Sequence, residues 1–327
     1  MLSRGDGGLE KHVVEMANTL LKTCRVSVLA DPRYRERLDP AITFVALDAR
    51  KGRLSFILAS QLKRILVDLK PDIIHAHAGK AASIMALLKP FYKESKWVVT
   101  RHNTTNPSAF YLRRFDACIA VSHKVAESEP DINWHVVENG TQPLQPSKPL
   151  IPLQQPAIVT IGRLVKIKGL DFVLDAWKNL DAHLYIIGDG PERAALEQQA
   201  KNEGLRNIHF VGYTEQVADY LCQAKLMLMP SFKEGAPYAM VEALLASVPV
   251  VATDVGNAKA LLPNHAIIEK GSAEAIANSV TQLLQEPENF QASFADSFSY
   301  ARENLSLDKM VENTVGVYTS LLQSPDQ

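Results

Sequence analysis

Two glutamates, Glu234 and Glu242, stand with seven residues between them in the stretch PSFKEGAPYAMVEALLASVPVVAT, residues 230–253. The apolar run at 226–229 has the length and composition of a buried parallel strand, and Pro237 suits the first position of a helix, where its missing N–H would be unpaired in any case. Glu234 then lies in a strand-to-helix loop and Glu242 inside the helix. Loops at the carboxyl ends of parallel strands are where open α/β sheets bind ligands, and a helix N-terminus presents N–H groups to an anion. The pattern therefore points to a phosphorylated ligand, with Glu234 reaching its reacting end. Helix glutamates are commonly no more than solvated residues, so the weight rests on the whole segment rather than on the pair.

A second set of residues precedes this one. The run IGRLVKIKG at 161–169 places Arg163, Lys166 and Lys168 in the loop after another apolar strand, where cations can neutralise a leaving diphosphate. Gly188-Asp189-Gly190 also follows an apolar run, but Arg193 stands where a G-x-G-x-x-G loop needs its last glycine. The pattern fails, and a tight turn opening a helix at Pro191 is expected instead. In the first half, Gly7 and Gly8 let backbone approach a ligand and open a helix. His75 and His77 alternate onto one face of a strand end; no third ligand stands near them in sequence, so no metal is expected. His102 follows another strand, in Val99-Thr100-Arg101-His102-Asn103. Ser122 reads as a helix cap and Asn139-Gly140 as a turn.

The segment holding Glu234 and Glu242 resembles the E-x7-E motif of retaining nucleotide-sugar glycosyltransferases of family 4, which have the GT-B fold, and the resemblance covers nearly the whole chain. It implies that Glu234 binds hydroxyls of the donor sugar, that Glu242 binds the ribose, and that backbone at Gly235, Ala236 and Tyr238 holds the diphosphate. Pro237 has no N–H to offer, so its neighbours must supply that contact. Arg163 and Lys168 match the family's G-R-x4-K-G phosphate clamp. By the same resemblance Gly188 contacts the diphosphate side, Tyr213 lies near the nucleobase, and Gly7 and Gly8 form an acceptor or diphosphate loop. His102, at the T-x-H position, lines the reaction centre. The implied chemistry is metal-independent transfer without a cofactor beyond the donor, in lipopolysaccharide or other surface-polysaccharide synthesis. The alternatives are a nucleotide-sugar 2-epimerase of the same architecture and a non-catalytic sugar-nucleotide-binding subunit.

These residues need two sheets to position them. A chain of 327 residues with 46% hydrophobic content suits two doubly wound domains better than one. Strand-like runs at 26–30, 42–47, 73–76, 97–100, 117–121 and 134–137 alternate with helical patterns at 9–22, 54–69 and 81–88. Strands near 158–161, 184–187, 208–211, 226–229, 250–253 and 266–268 alternate with helices near 169–178, 191–202, 216–223 and 273–284. Between the two series lies a proline-studded stretch that reads as a linker. The expected division is an acceptor-binding domain at 1–141, a linker at 142–156 and a nucleotide-sugar domain at 157–306. In the family, a last helix, here 307–327, crosses back to the first domain, and the two domains face each other across a cleft. Only four residues precede the turn at Gly5, fewer than the about 5–6 of an ordinary strand, so the expectation is either that the chain begins downstream of its natural start or that the first sheet lacks its first strand.

The net charge of −1 argues against a nucleic-acid partner. Residues 1–141 nevertheless hold 21 Lys+Arg against 15 Asp+Glu, and the remainder 14 against 21. The basic clusters at 33–35, 50–53 and 89–93 carry aromatic residues at Tyr34, Phe91 and Tyr92, which suggests peripheral contact with an anionic membrane surface or a lipid-linked acceptor. No stretch is long and apolar enough to span a membrane, and no signal peptide opens the sequence. The expected location is the cytoplasm, at the inner face of the cell membrane. Cys24, Cys118 and Cys222 show no C-x-x-C spacing and read as reduced core thiols.

Overall fold

The computed structural model describes residues 1–3, 5, 7–48, 56–105 and 107–323, so Asp6, the basic run at 50–53 and the start of the helix expected over 54–69 lie outside the described residues. The chain forms two compact units, Met1–Thr141 with Leu307–Gln327, and Gln142–Ser306.

In the first unit the order is α1 (Gly8–Leu20), β1 (Ser27–Ala30), β2 (Thr43–Ala46), α2 (Phe56–Leu69), β3 (Ile73–His77), α3 (Ala78–Leu88), β4 (Lys96–Arg101), α4 (Ala109–Leu112), β5 (Ala117–Ala120), α5 (His123–Glu127) and β6 (Trp134–Val136). β3, β4, β5 and β6 form one parallel sheet in that order, and β1 pairs with β2 in another. β5 and the middle of β4 are apolar because helices cover both faces: Trp97, Val98 and Val99 are all fully buried. Among the described residues no strand precedes α1. Residues 1–3 instead lie beside β1, with the Met1 nitrogen donating to Leu29 O at 2.8 Å and Leu2 buried.

The second unit contains β7 (Ala157–Ile161), α6 (Leu170–Ala176), β8 (His183–Ile187), α7 (Arg193–Asn202), β9 (Ile208–Gly212), α8 (Val217–Leu221), β10 (Leu226–Met229), α9 (Tyr238–Leu245), β11 (Val250–Thr253), α10 (Ala258–Leu261), β12 (Ile267–Ile268), α11 (Ala273–Gln285), α12 (Pro287–Ala292) and α13 (Ala295–Asn304). Its six strands are parallel in the order β12-β11-β10-β7-β8-β9. The chain thus lays β7, β8 and β9 outward in one direction, then returns to place β10 on the other flank of β7. The strand order reverses between β7 and β10, and a crevice opens beyond the carboxyl ends of strands at such a point.

The proline-rich stretch is extended but not free. Leu144, Ile151 and Leu153 pack against the second unit's core. Asp219 accepts from the Ser147 N–H at 2.6 Å, and Gln223 Nε2 donates to Ile151 O at 2.7 Å. It is a strap on that unit, because apolar residues spaced between its prolines find sites on the sheet's flank.

α14 (Leu307–Gln323) belongs to the first unit. Leu307, Met310, Val311 and Val317 share a core cluster with Met16 and Leu20 of α1 and with Val98, Ile119 and Val137. The Tyr318 hydroxyl lies 2.6 Å from His75 Nδ1, and burial pushes the phenol's pKa up. Of the cysteines only Cys118 is in the core, where burial raises its thiol to about 12; Cys24 and Cys222 are exposed, which corrects the reading of all three as core thiols.

Candidate active site

The loops after β7 and β10 bring Lys168 and Glu234 together. A short 3-10 turn, Lys166–Lys168, ends at Gly169 in the left-handed region (φ 63°), which aims Lys168 back over Gly162. Lys168 Nζ donates to Glu234 Oε1 at 2.5 Å, and Ser231 Oγ donates to the same oxygen at 2.8 Å. Glu234 Oε2 takes no partner among the described residues. Three further contacts fix the Glu234 loop: Phe232 N–H donates to Ile167 O at 2.8 Å, Thr253 Oγ1 donates to Ser231 O, and Lys270 Nζ donates to Phe232 O at 3.1 Å. A Cβ on Gly169 would meet Pro230 O at 2.6 Å, and one on Gly256 (φ 57°) would meet Gly235 O at 2.8 Å. Glycine is required at both because backbone passes against backbone.

Arg163 is exposed and its side chain has no hydrogen-bond or ion-pair partner among the described residues, while its neighbours are held: Gly162 N–H donates to Ile187 O and Leu164 N–H to Asp189 O, both at 2.9 Å. Gly188 stands at φ 132°, where an added Cβ would lie 2.0 Å from Gly162 O. Its role is therefore close packing of the β8 loop on the β7 loop, and not the simple turn expected. The helix expected to open at Pro191 begins at Arg193, whose guanidinium pairs with Asp189 and Glu197. Pro237 is the N-cap of α9, one residue before the helical position expected; Tyr238 follows as the first helical residue, with Gly235 and Ala236 in the loop before it. Glu242 is buried in the second turn. Tyr213, directly after β9, is 66% exposed, enough to offer a ring face to a ligand.

In the first unit the structure assembles four histidines, one of which the sequence reading did not single out. His12, on α1, is buried with its Nδ1 3.2 Å from Asn139 Oδ1. His77 Nδ1 lies 3.3 Å from His102 Nε2. His75 is engaged on both sides, by Tyr318 and by Thr100 Oγ1 at 2.7 Å. One nitrogen from each of His12, His77 and His102 lies within 4.8 Å of the other two. This corrects the expectation that the His75-Ala-His77 pair lacks a third imidazole. Such a ligand comes from α1 and from the loop after β4, and sequence spacing along one strand does not register it. Gly7 and Gly8 open α1 itself, with the Gly7 N–H donating to Glu10 Oε2 at 2.9 Å. Arg101, also unremarked in sequence, is 1% exposed and holds the His102 loop by donating to Asn103 O at 3.0 Å and Thr104 O at 2.9 Å. Ser122 caps α5 as expected, whereas Asn139 is a partner of His12 and not merely a turn residue.

Burial keeps these imidazoles neutral: it lowers His12 to about 4 and His75 to about 3, and pushes His77 and His102 well below the usual value, with neighbouring rings adding to the effect. The folded pKa lies below the unfolded one, so the unfolded chain takes up protons that the native state refuses. Stability should hold near pH 7 and fall as pH drops from about 6.5 toward 4, by on the order of 2 kcal/mol between pH 7 and 5 for His12 alone. Amide hydrogen exchange of β3 and β4 should show that loss, and His12→Gln should reduce it. Equal protection at the two pH values would contradict neutral burial.

Two family models match the chain: "Glycosyltransferase Family 4" over residues 6–141 and "Glycosyl transferases group 1" over residues 155–286. A Bacillus subtilis protein assigned to teichuronic acid biosynthesis as a glycosyltransferase, TuaC, is 31% identical over 252 residues, which are 67% of this chain and 63% of that protein. The lipopolysaccharide core biosynthesis glycosyltransferase LpsD of Rhizobium meliloti is 24% identical over 301 residues, 86% of each chain. Among solved structures, Anabaena HepE in complex with UDP-glucose superposes with a TM-score of 0.82 at 17% identity, covering 97% of both chains, and shows that the fold here is GT-B.

Proposed function

Because the chain belongs to the family 4 (group 1) glycosyltransferases, we propose that it transfers a hexose-type sugar from a nucleotide-diphosphate donor to a saccharide or lipid-linked acceptor, with retention of anomeric configuration. The observation that carries this reading is the Lys168–Glu234 pair joining the loops after β7 and β10, where the strand order reverses, with Arg163 on the first of those loops. As the sugar–phosphate bond breaks, negative charge gathers on the diphosphate and positive charge on the sugar carbon. Lys168, Arg163 and the N-terminus of α9 supply a fixed positive field for the first. Because the protein's own cations match the diphosphate, no metal is assigned to the donor. Glu234, tied through Oε1 to Lys168 and Ser231, positions the donor through Oε2 and sugar hydroxyls. The acceptor oxygen bonds the sugar carbon on the face the diphosphate leaves, and its proton passes to the departing phosphate oxygen. Tyr213 and Gly188 border the nucleotide; His102, with Gly7 and Gly8, serves the acceptor.

The solved complex of HepE with UDP-glucose makes UDP-sugars the first donors to test. The relatives in teichuronic acid and lipopolysaccharide synthesis support a surface polysaccharide as product. Thermal stabilisation across UDP-, GDP- and ADP-linked sugars should single out one nucleotide, with about 2.7 kcal/mol gained at 100 times Kd. No stabilisation by any of them would overturn the reading, and epimerised free nucleotide sugar without acceptor would replace it with a 2-epimerase. Glu242→Ala should raise KM more than it lowers kcat, since a ribose contact acts in ground and transition states alike. A pure kcat loss would give Glu242 a different role.

We place the acceptor at an anionic membrane surface. Phe91 is 67% exposed between Lys89 and Lys93 in sequence, and the two lysines line a pocket with Lys96 and Arg114 and with the carboxylates Asp72, Glu94 and Asp116. Tyr34 and Tyr92 are buried, so they leave the aromatic-dotted surface expected from the sequence; Lys89 also pairs with Asp116 at 2.5 Å. No described helix is long and apolar enough to cross a membrane. Sedimentation with anionic vesicles should therefore show binding at low salt that fades past roughly 0.15 M, where the Debye length is about 8 Å. Lys93→Glu should weaken it and spare nucleotide binding. Absence of binding at every salt concentration would leave a soluble acceptor.

A further inference from the structure

We propose that Arg101 is a positioning residue: its buried guanidinium clamps the loop after β4 so that His102 is held at the reaction centre, and the protein keeps this charge for function against its own stability. The inference rests on the assignment of His102 to the acceptor. Arg101 is the last residue of β4, and strand alternation sends its side chain to the opposite face of the sheet from Thr100. Thr100 bonds His75, and His102 meets His77 and His12 on that same side. The face that carries Arg101 carries Trp97 and Val99, which belong to a different core cluster from Val98. Beyond Arg101 the chain turns across the strand end. Arg101 Nε donates to Asn103 O at 3.0 Å and Nη2 to Thr104 O at 2.9 Å. Two donors of one planar group fix the direction of two successive carbonyls, which a single point charge does not. The carbonyls are thus drawn to the Arg101 side while His102, one residue earlier, reaches the other, its Nε2 3.3 Å from His77 Nδ1.

Stability alone gives no reason for a guanidinium here. The side chain is buried, its Nη1 has no partner among the described residues, and burial lowers its pKa against the opposing pull of Glu129. That counter-charge is a loose one: Glu129 Oε1 stands 3.6 Å from Nη2, with 29% of its side chain exposed. The Trp134 ring centroid lies 6.0 Å from the guanidinium carbon, at the outer limit of a cation–π contact. Replacing a buried ion pair by apolar atoms is often neutral or stabilising, and removing one partner is harmful when the other charge is left buried. Here the partners have access to water, since Asn103 and Thr104 are half-buried and Glu129 borders solvent. What the guanidinium supplies is one fixed loop geometry, and the residue which that geometry places is His102.

The test compares full-length Arg101→Met and Arg101→Lys with the wild type by melting, by NMR of labelled histidine side chains, and by release of nucleotide from UDP-, GDP- or ADP-glucose with water as acceptor. Arg101→Met should melt no more than about 5 °C below the wild type. In the wild type, burial first and then His12 and His75 hold the His102 imidazole well below its usual range, so it should stay neutral through the ordinary titration near about 6.5. In both variants the released loop should let His102 titrate near that ordinary value. The kcat for nucleotide release should fall by about 10–100-fold while KM for the donor stays within about twofold, the pattern of a displaced group remote from the donor-binding residues. Arg101→Lys should restore neither readout, because an ammonium lacks the fork. Arg113→Met, in the exposed Arg113–Asp131 pair, should change nothing. Wild-type kcat in Arg101→Lys, a His102 that still fails to titrate in Arg101→Met, or a larger fall in the Tm of Arg101→Met would each overturn the proposal. His102→Ala separates it from the reading on which it rests: wild-type nucleotide release in that variant, or none from any of the three donors in the wild type, would remove the role of His102 in the reaction, whereas the titration of His102 decides the clamp without any substrate.

Discussion

Lys168→Ala should lower turnover by a factor on the order of 100 or more at saturating donor, the size expected when one fixed donor to a developing anion is removed. The structure adds a second cost. Lys168 lies 2.5 Å from Glu234, so its loss leaves a carboxylate without its cation where the diphosphate must carry its charge. The two substitutions should therefore be coupled: Glu234→Gln in the Lys168→Ala background should cost far less than Glu234→Gln alone, because it removes the repulsion as well. Arg163→Ala should match the first effect without that coupling, since Arg163 has no carboxylate partner among the described residues. Steady-state kinetics on the four variants checks this, and near-unchanged rates for both Lys168→Ala and Arg163→Ala would remove the clamp.

Gly188→Ala should be the most destabilising single methyl group in the second unit. Alanine at φ 132° is strained by about 1–3 kcal/mol. Its Cβ would also sit 2.0 Å from Gly162 O and 2.9 Å from Gly162 C, overlaps only a backbone shift can relieve; overpacking of this kind adds about 1–3 kcal/mol. A fall in the second unit's Tm of roughly 10 °C follows for a unit of this size. The displaced strand-end loop carries Arg163, so turnover should fall in the protein that remains folded. Gly204→Ala is the control: at φ 68° with nothing within 4 Å of an added Cβ, it feels backbone strain alone. Equal Tm shifts in the two variants would mean the Gly162 contact contributes nothing.

What the sequence made legible was whatever depends on neighbours along the chain. The β–α alternation, the strap's extended prolines, and the placement of Glu234 and Lys168 on strand-end loops all follow from short-range patterns, and the twelve described strands fall where apolar runs predict them. Two of the misses share a cause in long-range contact. Nothing near Gly188 announces that Gly162 presses against it, and nothing near His77 announces His12, 65 positions earlier. α13 (Ala295–Asn304) was not legible because only Ser297, Phe298 and Ala301 are buried along it, too sparse an apolar stripe to stand out. Pro237 was misplaced by one position for a smaller reason: its fixed φ suits an N-cap in extended conformation as well as a first helical turn.

α14 has a consequence for how the molecule is made. The unit begun first on the ribosome is completed last, since residues 307–323 close its core only after the whole of 142–306 has been synthesised. Until then Met16, Leu20, Val98 and Ile119 lack their covering helix, and a nascent chain with that face bare is a client for chaperones and a target for aggregation. The second unit, continuous in sequence, can fold while it waits. A stop codon or proteolytic nick just before Leu307 would leave the second unit's fold intact and the histidine unit unfinished, with His75 deprived of Tyr318.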